Sequence, residues 1–342
     1  MRRLAVVLFN LGGPDNLDAV SPFLFNLFND PAIIAAPNPI RYLLAKWISF
    51  RRAPIARGIY KEIGGASPLL PETQAQAAAL VRALKGEADE VRAFIAMRYW
   101  HPMTAEVVGR VKSFDPDEIV LLPLYPQYST TTTASSLKEW HKQAERSGLN
   151  APSHDVCCYP LAEGFIKGVS GLVGAAVREA GKHGSSRVLF SAHGLPKKIV
   201  AAGDPYQWQV EQTSRAVVEA LDTPDLDWAV CYQSRVGPLE WIGPSLGNEL
   251  KRAGEDGVAV VVVPIAFVSE HSETLVELDI EYRKMAETLG VPAYIRVPAL
   301  GHDENFITAL AELTRQAVKG EPGIRSQAGG RPCPAGHGKC PL

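Results

Sequence analysis

The sequence predicts an α/β protein built as two similar domains, each around parallel strands. Apolar, β-branched runs that stop at turn residues alternate with stretches of helical spacing, the pattern of βαβ units. Two short segments recur in the same order in both halves, and 342 residues of ordinary globular composition suffice for two domains of typical size.

Strands are expected at residues 5–9, 93–97, 119–122, 188–190, 229–232 and 258–263, and helices at 73–84, 165–180 and 272–289. The internal echo pairs Leu8-Phe9-Asn10-Leu11-Gly12-Gly13-Pro14 with Leu189-Phe190-Ser191-Ala192-His193-Gly194-Leu195-Pro196. It also pairs Pro123-Leu124-Tyr125 with Pro264-Ile265-Ala266. The first offset exceeds the second by about 40 residues, so the first half carries an insertion. Residues 21–54, where Phe23, Leu24, Phe28, Trp47 and Phe50 mix with Arg41, Lys46, Arg51 and Arg52, are its best location. Either an extra core helix pair or an apolar lid with basic edges fits, the lid over an apolar ligand or against a membrane surface. The expected domains are 1–155 with this lid and 156–318. A Gly-, Pro- and Cys-bearing tail, 319–342, is not expected to pack as a core element.

Composition excludes several classes. A net charge of -2 gives no positive field for nucleic acid. The first apolar run is cut short by Asn10 and Gly12, and the longest, 258–268, is interrupted by Pro264, so neither a signal segment nor a membrane span is expected. Five cysteines in a chain this long make no disulfide framework, which fits a reducing, cytoplasmic setting. Gly12-Gly13-Pro14 lacks the spacing of a phosphate loop, so no nucleotide is expected, and a Gly-x-Ser-x-Gly elbow is absent.

Ligands of open parallel sheets bind beyond the carboxyl ends of the strands. His193 follows one expected strand in a Gly/Pro turn, placed to act as a base or metal ligand, although an inconsequential loop histidine reads equally simply. After the 258–263 strand come Glu270, His271, Glu273, Glu277 and Glu281. On an α-helix Glu270, Glu273 or Thr274, Glu277 and Glu281 would line one face. A solvated acidic face is the plain reading. The start of the row at a strand terminus, with His271 inside it, points instead to a divalent metal and proton relay. Glu270-His271-Ser272-Glu273 is not the His-Glu-x-x-His of zinc proteases.

Six ordered blocks then make the chain similar to the ferrochelatase family over about residues 4–318. They are Asn10-Leu11-Gly12-Gly13-Pro14, Met97-Arg98-Tyr99-Trp100-His101-Pro102, Pro123-Leu124-Tyr125-Pro126-Gln127-Tyr128-Ser129 and Ser191-Ala192-His193-Gly194-Leu195-Pro196. The others are Phe267-Val268-Ser269-Glu270-His271-Ser272-Glu273-Thr274-Leu275 and Tyr232-Gln233-Ser234-Arg235-Val236-Gly237-Pro238 before Trp241. The resemblance implies two Rossmann-like, chelatase-like domains with a porphyrin held between them and Fe²⁺ as substrate, inserted as two pyrrole protons leave. It places His193 and Glu273 at the macrocycle centre as catalytic and metal-handling residues, with Glu270 and His271 beside them; the acidic residues Glu270, Glu277 and Glu281 are then expected to form an exit row for protons. Which of the pair is the base stays open. Arg98, Tyr99 and His101 are implied porphyrin contacts, and Tyr60, Trp241 and Phe267 are candidate walls.

Some members carry a [2Fe-2S] cluster on cysteines. Cys158, Cys333 and Cys340 are the ligands available here, with Cys157, Cys231 or His337 as a fourth and a disordered tail as the other reading. Protoporphyrin IX is favoured over coproporphyrin III. A cobalt or nickel chelatase and a non-catalytic porphyrin carrier are the alternatives, and monomer and homodimer are both open.

Overall fold

Long runs of apolar residues bury themselves best as strands covered on both faces, and the chain does this twice. The computed structural model describes residues 1–342 apart from Val236 and Pro238. The chain divides into two compact units, residues 1–158 with 310–330 and 342, and residues 159–309 with 331–341.

The first unit runs β1 (Arg3–Asn10), α1 (Val20–Phe28), α2 (Ile40–Glu62), α3 (Leu69–Ala83), β2 (Glu90–Met97), α4 (Thr104–Phe114), β3 (Glu118–Pro123), α5 (Thr133–Ser147) and β4 (Ser153–Cys158). In β1 every residue from Leu4 to Phe9 is at most 1% exposed. Ala5, Val7 and Phe9 face Val107, Val111 and Trp140 in one apolar cluster, with the Phe9 and Trp140 rings edge to face at 5.7 Å. The second unit runs α6 (Glu163–Ala180), β5 (Ser186–His193), α7 (Lys197–Ala201), α8 (Tyr206–Leu221), β6 (Asp227–Gln233), α9 (Leu246–Asp256), β7 (Ala259–Pro264), a π-helix (Glu273–Tyr282), α10 (Arg283–Thr288) and β8 (Tyr294–Arg296). Ser245 caps α9 by accepting the Asn248 N–H. Leu246, Leu250 and Ala253 of α9 pack with Leu189, Val260 and Val262 of the sheet. Finally α11 (Glu304–Lys319) leads to β9 (Gly323–Ser326).

All pairings are parallel, in the orders β2-β1-β3-β4-β9 and β6-β5-β7-β8. The first four strands of one sheet thus repeat the order of the other. The echoed segments occupy matching places, since Asn10 ends β1 as His193 ends β5, and Pro123 ends β3 as Pro264 ends β7. The chain reverses direction across each sheet between the first and third strands of the repeat, β1/β3 and β5/β7, the position where α/β folds bind ligands.

All six expected strands form. β4, β8 and β9 were not expected, because β4 opens on the polar Ser153-His154-Asp155, β8 has three residues, and β9 lies in the supposedly unpacked tail. That tail packs. Its main chain is satisfied by Gln327 N–H donating to the Cys158 carbonyl at 3.0 Å and Lys339 N–H to that of Gly203 at 3.1 Å. Arg331 donates to the carbonyls of Cys333 and His337. A segment without apolar periodicity is ordered here by hydrogen bonds, which local patterning does not display.

The insertion is the helix pair α1 and α2. Val20, Phe23, Leu24, Ala53 and Tyr60 pack with Tyr99, while the opposite face exposes Leu43 (62%), Trp47 (59%), Phe50 (78%) and Ile55 (70%). Among the described residues no helix is long and apolar enough to cross a membrane.

Candidate active site in the second unit

Three strand ends supply the site. His193 closes β5 and pairs in register with Gln233, which closes β6. The segment after β7 carries Glu270 to Glu277. Gly194 allows this approach: an added Cβ would stand 3.0 Å from the Gln233 carbonyl and 3.2 Å from the Trp241 ring.

The His193 Nδ1 lies 2.7 Å from the Gly194 carbonyl. The carbonyl accepts only, so Nδ1 carries the proton and Nε2 presents its lone pair. The His271 Nδ1 is likewise held, by the Ser269 carbonyl at 3.2 Å. Both Nε2 atoms stand 3.9 Å from one oxygen, Glu273 Oε2. That is beyond hydrogen-bond reach yet close for a charge. Burial would raise the Glu273 pKa, but His193, His271 and Ser234 hold it down to about 2. The carboxylate is therefore ionised at neutral pH.

Glu277 sits in a cradle of donors. The Ser234 N–H (2.8 Å), the Ser234 hydroxyl and the Gln233 Nε2 (3.2 Å) all donate to it. Ser191 in turn orients Gln233 by donating to its Oε1 at 2.8 Å. Ser234 adopts φ 62°, a left-handed conformation that costs a side-chain-bearing residue about 1–2 kcal/mol, and the turn aims its N–H at Glu277. Despite these donors, burial and the Glu273 charge leave the Glu277 pKa raised. Two neighbouring carboxylates are thus driven in opposite directions, the usual signature of divided proton-handling roles.

The expected acidic row is corrected in part. The segment from Glu273 is a π-helix with a wider turn than the α-helix assumed for the spacing, and Thr274 points inward, buried, to bond with His271. Glu270 precedes the helix and turns to Arg296 (2.6 Å) and the Ala299 N–H (2.9 Å). It is therefore an ion-pair partner and not the first member of a row. Burial alone would raise its pKa; hydrogen bonds and the Arg296 charge hold it below the ordinary carboxylate value. Glu281 is exposed near the end of the π-helix. Phe267 packs against His271 with ring centroids 4.5 Å apart and planes tilted by 55°, and Trp241 closes over Gly194.

Of the residues expected from the first unit, Tyr99 and Arg98 are engaged by Asp30, a buried acid the sequence reading missed. The Tyr99 hydroxyl donates to Asp30 at 2.8 Å, and Arg98 pairs with it at 2.7 Å while also donating to Ser135. Tyr99 is only 1% exposed and offers no face to a ligand, so its expected porphyrin contact is corrected to a supporting one. His101 is exposed near Glu106 (3.7 Å), and Tyr60 is buried between α1 and α2. Gln233, Ser234 and Arg296 were also missed. The first two stand at a strand end, where the rule that found His193 could have found them. Val236 and Pro238 of that block lie outside the described residues.

The model of the family described as Ferrochelatase matches residues 3–318. The chain belongs to the ferrochelatase family. Ferrochelatases of Caulobacter vibrioides and Phenylobacterium zucineum are each 54% identical to it over 99% of this chain and 97% of theirs. That of a Wolbachia of Drosophila simulans is 54% identical over 90% of this chain and 98% of its own. The solved structure of SirB from Bacillus subtilis with Fe³⁺ shares the fold at 13% identity, with TM-score 0.51 over 93% of this chain and 96% of that one. As a ferrochelatase the protein is a metal chelatase of the lyase class, serving haem synthesis with Fe²⁺ as substrate.

The cysteines fit a resident cluster poorly within either unit. Cys157 and Cys158, with Sγ atoms 3.5 Å apart, lie in the first unit, and Cys333 and Cys340 in the second. Cys231 is a core residue whose thiol burial pushes up and keeps protonated. Among the described residues no group of three or more His, Cys, Asp or Glu is gathered to hold a metal ion.

Proposed function

We propose that this ferrochelatase inserts Fe²⁺ into protoporphyrin IX with release of two protons, using His193 as the base. The observation that carries this is the His193 Nε2 lone pair, fixed by Gly194 and facing an ionised Glu273 at 3.9 Å. A pyrrole N–H proton passes to Nε2, and the Glu273 carboxylate stabilises the imidazolium that forms. Glu277, with its raised pKa, takes the proton onward, and exposed Glu281 delivers it to solvent. The second pyrrole proton leaves by the same route after His193 is reset. His271 and Glu273 present the metal only in passing; a substrate ion must be given up, and a closed ligand cage would retain it.

Phe267 and Trp241 are the proposed walls for the macrocycle in this unit. The exposed face of α2 is apolar, as suits an enzyme that takes the sparingly soluble, dicarboxylic protoporphyrin IX from a membrane surface in preference to the tetracarboxylic coproporphyrin III. The same face, where Ile40, Leu43, Trp47 and Phe50 follow helical spacing beside Arg51 and Arg52, is proposed to rest on the cytoplasmic membrane surface. The test is anaerobic turnover of Fe²⁺ with each porphyrin, read as loss of free-porphyrin fluorescence. Equal or greater turnover of coproporphyrin III would reverse the substrate assignment, and tight binding without metallation would overturn the enzyme reading.

A further inference from the structure

Arg296 ends β8 at the edge of the second sheet, and its side chain is only 9% exposed. Its planar guanidinium grips two acids at once. Nε donates to Asp279 Oδ1 at 2.9 Å and Nη2 to Asp279 Oδ2, while Nη1 donates to Glu270 Oε1 at 2.6 Å. The Ala299 N–H closes on the same Glu270 oxygen at 2.9 Å. Glu270 immediately precedes His271, and Asp279 lies two positions beyond Glu277 in the π-helix. One guanidinium thus ties down both ends of the stretch that presents His271, Glu273 and Glu277.

The geometry of that stretch is unusual enough to need holding. A π-helix is rarely sustained beyond a turn, and its wider winding sets which side chains share a face. Glu273 must stay on the side of His193, and Glu277 on the side of Ser234. Ser234 and Gln233 hold Glu277 itself, and the Tyr294 hydroxyl donates to the Leu278 carbonyl, but the bidentate Arg–carboxylate pair fixes orientation as well as distance.

We infer that Arg296 is a positioning residue for the metal-handling step, holding the π-helix in the register that keeps His271, Glu273 and Glu277 aimed at the site. The inference rests on the roles proposed above for those residues. Partners of this kind, one shell away from the reacting groups, carry about 10- to 100-fold of metal affinity or activity.

The test compares the full-length protein with Arg296→Lys, Arg296→Met, and the triple variant Arg296→Met/Glu270→Gln/Asp279→Asn, which leaves no unpaired acid behind. Thermal melts report folding, porphyrin fluorescence quenching reports porphyrin binding, and steady-state kinetics separate KM for Fe²⁺ from kcat. The expected result is parent-like porphyrin affinity in all three and recovery of stability in the triple variant. kcat/KM for Fe²⁺ stays reduced by about 10- to 100-fold even there. Arg296→Lys rescues little, because an ammonium lacks the fork. Parent-like kcat/KM for Fe²⁺ in the folded triple variant overturns the inference. Glu273→Gln, run in parallel, separates the two failures. If it too keeps parent turnover, the assignment of the site is wrong; if it loses turnover while the Arg296 variants do not, only the clamp is.

Discussion

His193 and Glu273 face each other across 3.9 Å, from the end of β5 and the start of the π-helix, with the imidazole lone pair toward the carboxylate. A proton accepted at His193 Nε2 would place the imidazolium charge beside the ionised carboxylate. Removing either member should therefore cost chemistry more than binding. His193→Ala and Glu273→Gln are expected to lower kcat by about 10²- to 10⁴-fold, the usual contribution of a positioned proton acceptor. Quenching titrations should show porphyrin affinity close to that of the parent. A variant with parent kcat would remove that residue from the mechanism.

Glu277 is expected to set the acid side of the pH profile. Its pKa is raised by burial and by Glu273, and it accepts protons only when ionised. Turnover is thus complete above that pKa and falls as pH drops through it. Glu277→Gln should abolish this limb at a lower plateau. Ser234→Ala, which deletes the hydroxyl donor to the carboxylate, should move the limb to higher pH. Profiles superimposable on the parent after scaling would sink the relay.

Gly194 is the tightest point of the site. Gly194→Ala brings a methyl to 3.0 Å from the Gln233 carbonyl and 3.2 Å from Trp241. Strand and ring must part, at a cost of about 1–3 kcal/mol for overpacking, and His193 shifts with them. Denaturant melts should show the loss, accompanied by a kcat deficit that the same destabilisation placed in the first unit would not produce.

Asp30 anchors the strand-end residues of the other unit. Burial opposes its ionisation, yet Ser135, Arg98 and Tyr99 together hold its pKa low. Asp30→Asn leaves the Arg98 charge in a site where its side chain is 17% exposed. Breaking a buried pair in this way costs about 3–5 kcal/mol. The change should appear as a lower melting temperature, and Asp30→Asn combined with Arg98→Met should recover much of it.

The exposed face of α2 makes a separate prediction. Phe50→Glu and Trp47→Glu should reduce co-sedimentation with anionic vesicles, and Arg51→Ala/Arg52→Ala should weaken it most at low salt, by about 1 kcal/mol per charge. Turnover of porphyrin presented in detergent should be unaffected by the arginine pair. Vesicle binding indifferent to all four changes would exclude this face as the contact.

The sequence by itself determined the strands and the place to look. A run such as Ala259–Pro264 has nothing to do but bury both faces, and strand ends are local features, so His193 and the acidic segment after β7 could be marked before any contact was known, while the choice of Glu273 within that segment came from the family resemblance. The internal echo likewise pointed to two similar domains, although the strand order that the two sheets share, β2-β1-β3-β4 and β6-β5-β7-β8, came only from the structure. Only the tertiary structure decided the partners. Ser234 reaches Glu277 across 43 residues of chain, Arg296 reaches Glu270 across 26, and Tyr99 reaches Asp30 across 69. Such pairs depend on which strands lie side by side, and local periodicity carries no trace of that. The acidic row failed for a related reason, because Glu270 is turned away to an arginine on another strand and the residues after it wind as a π-helix. Spacing along a chain predicts a shared face only when the turn that converts spacing into angle is known, and here the turn is that of a π-helix.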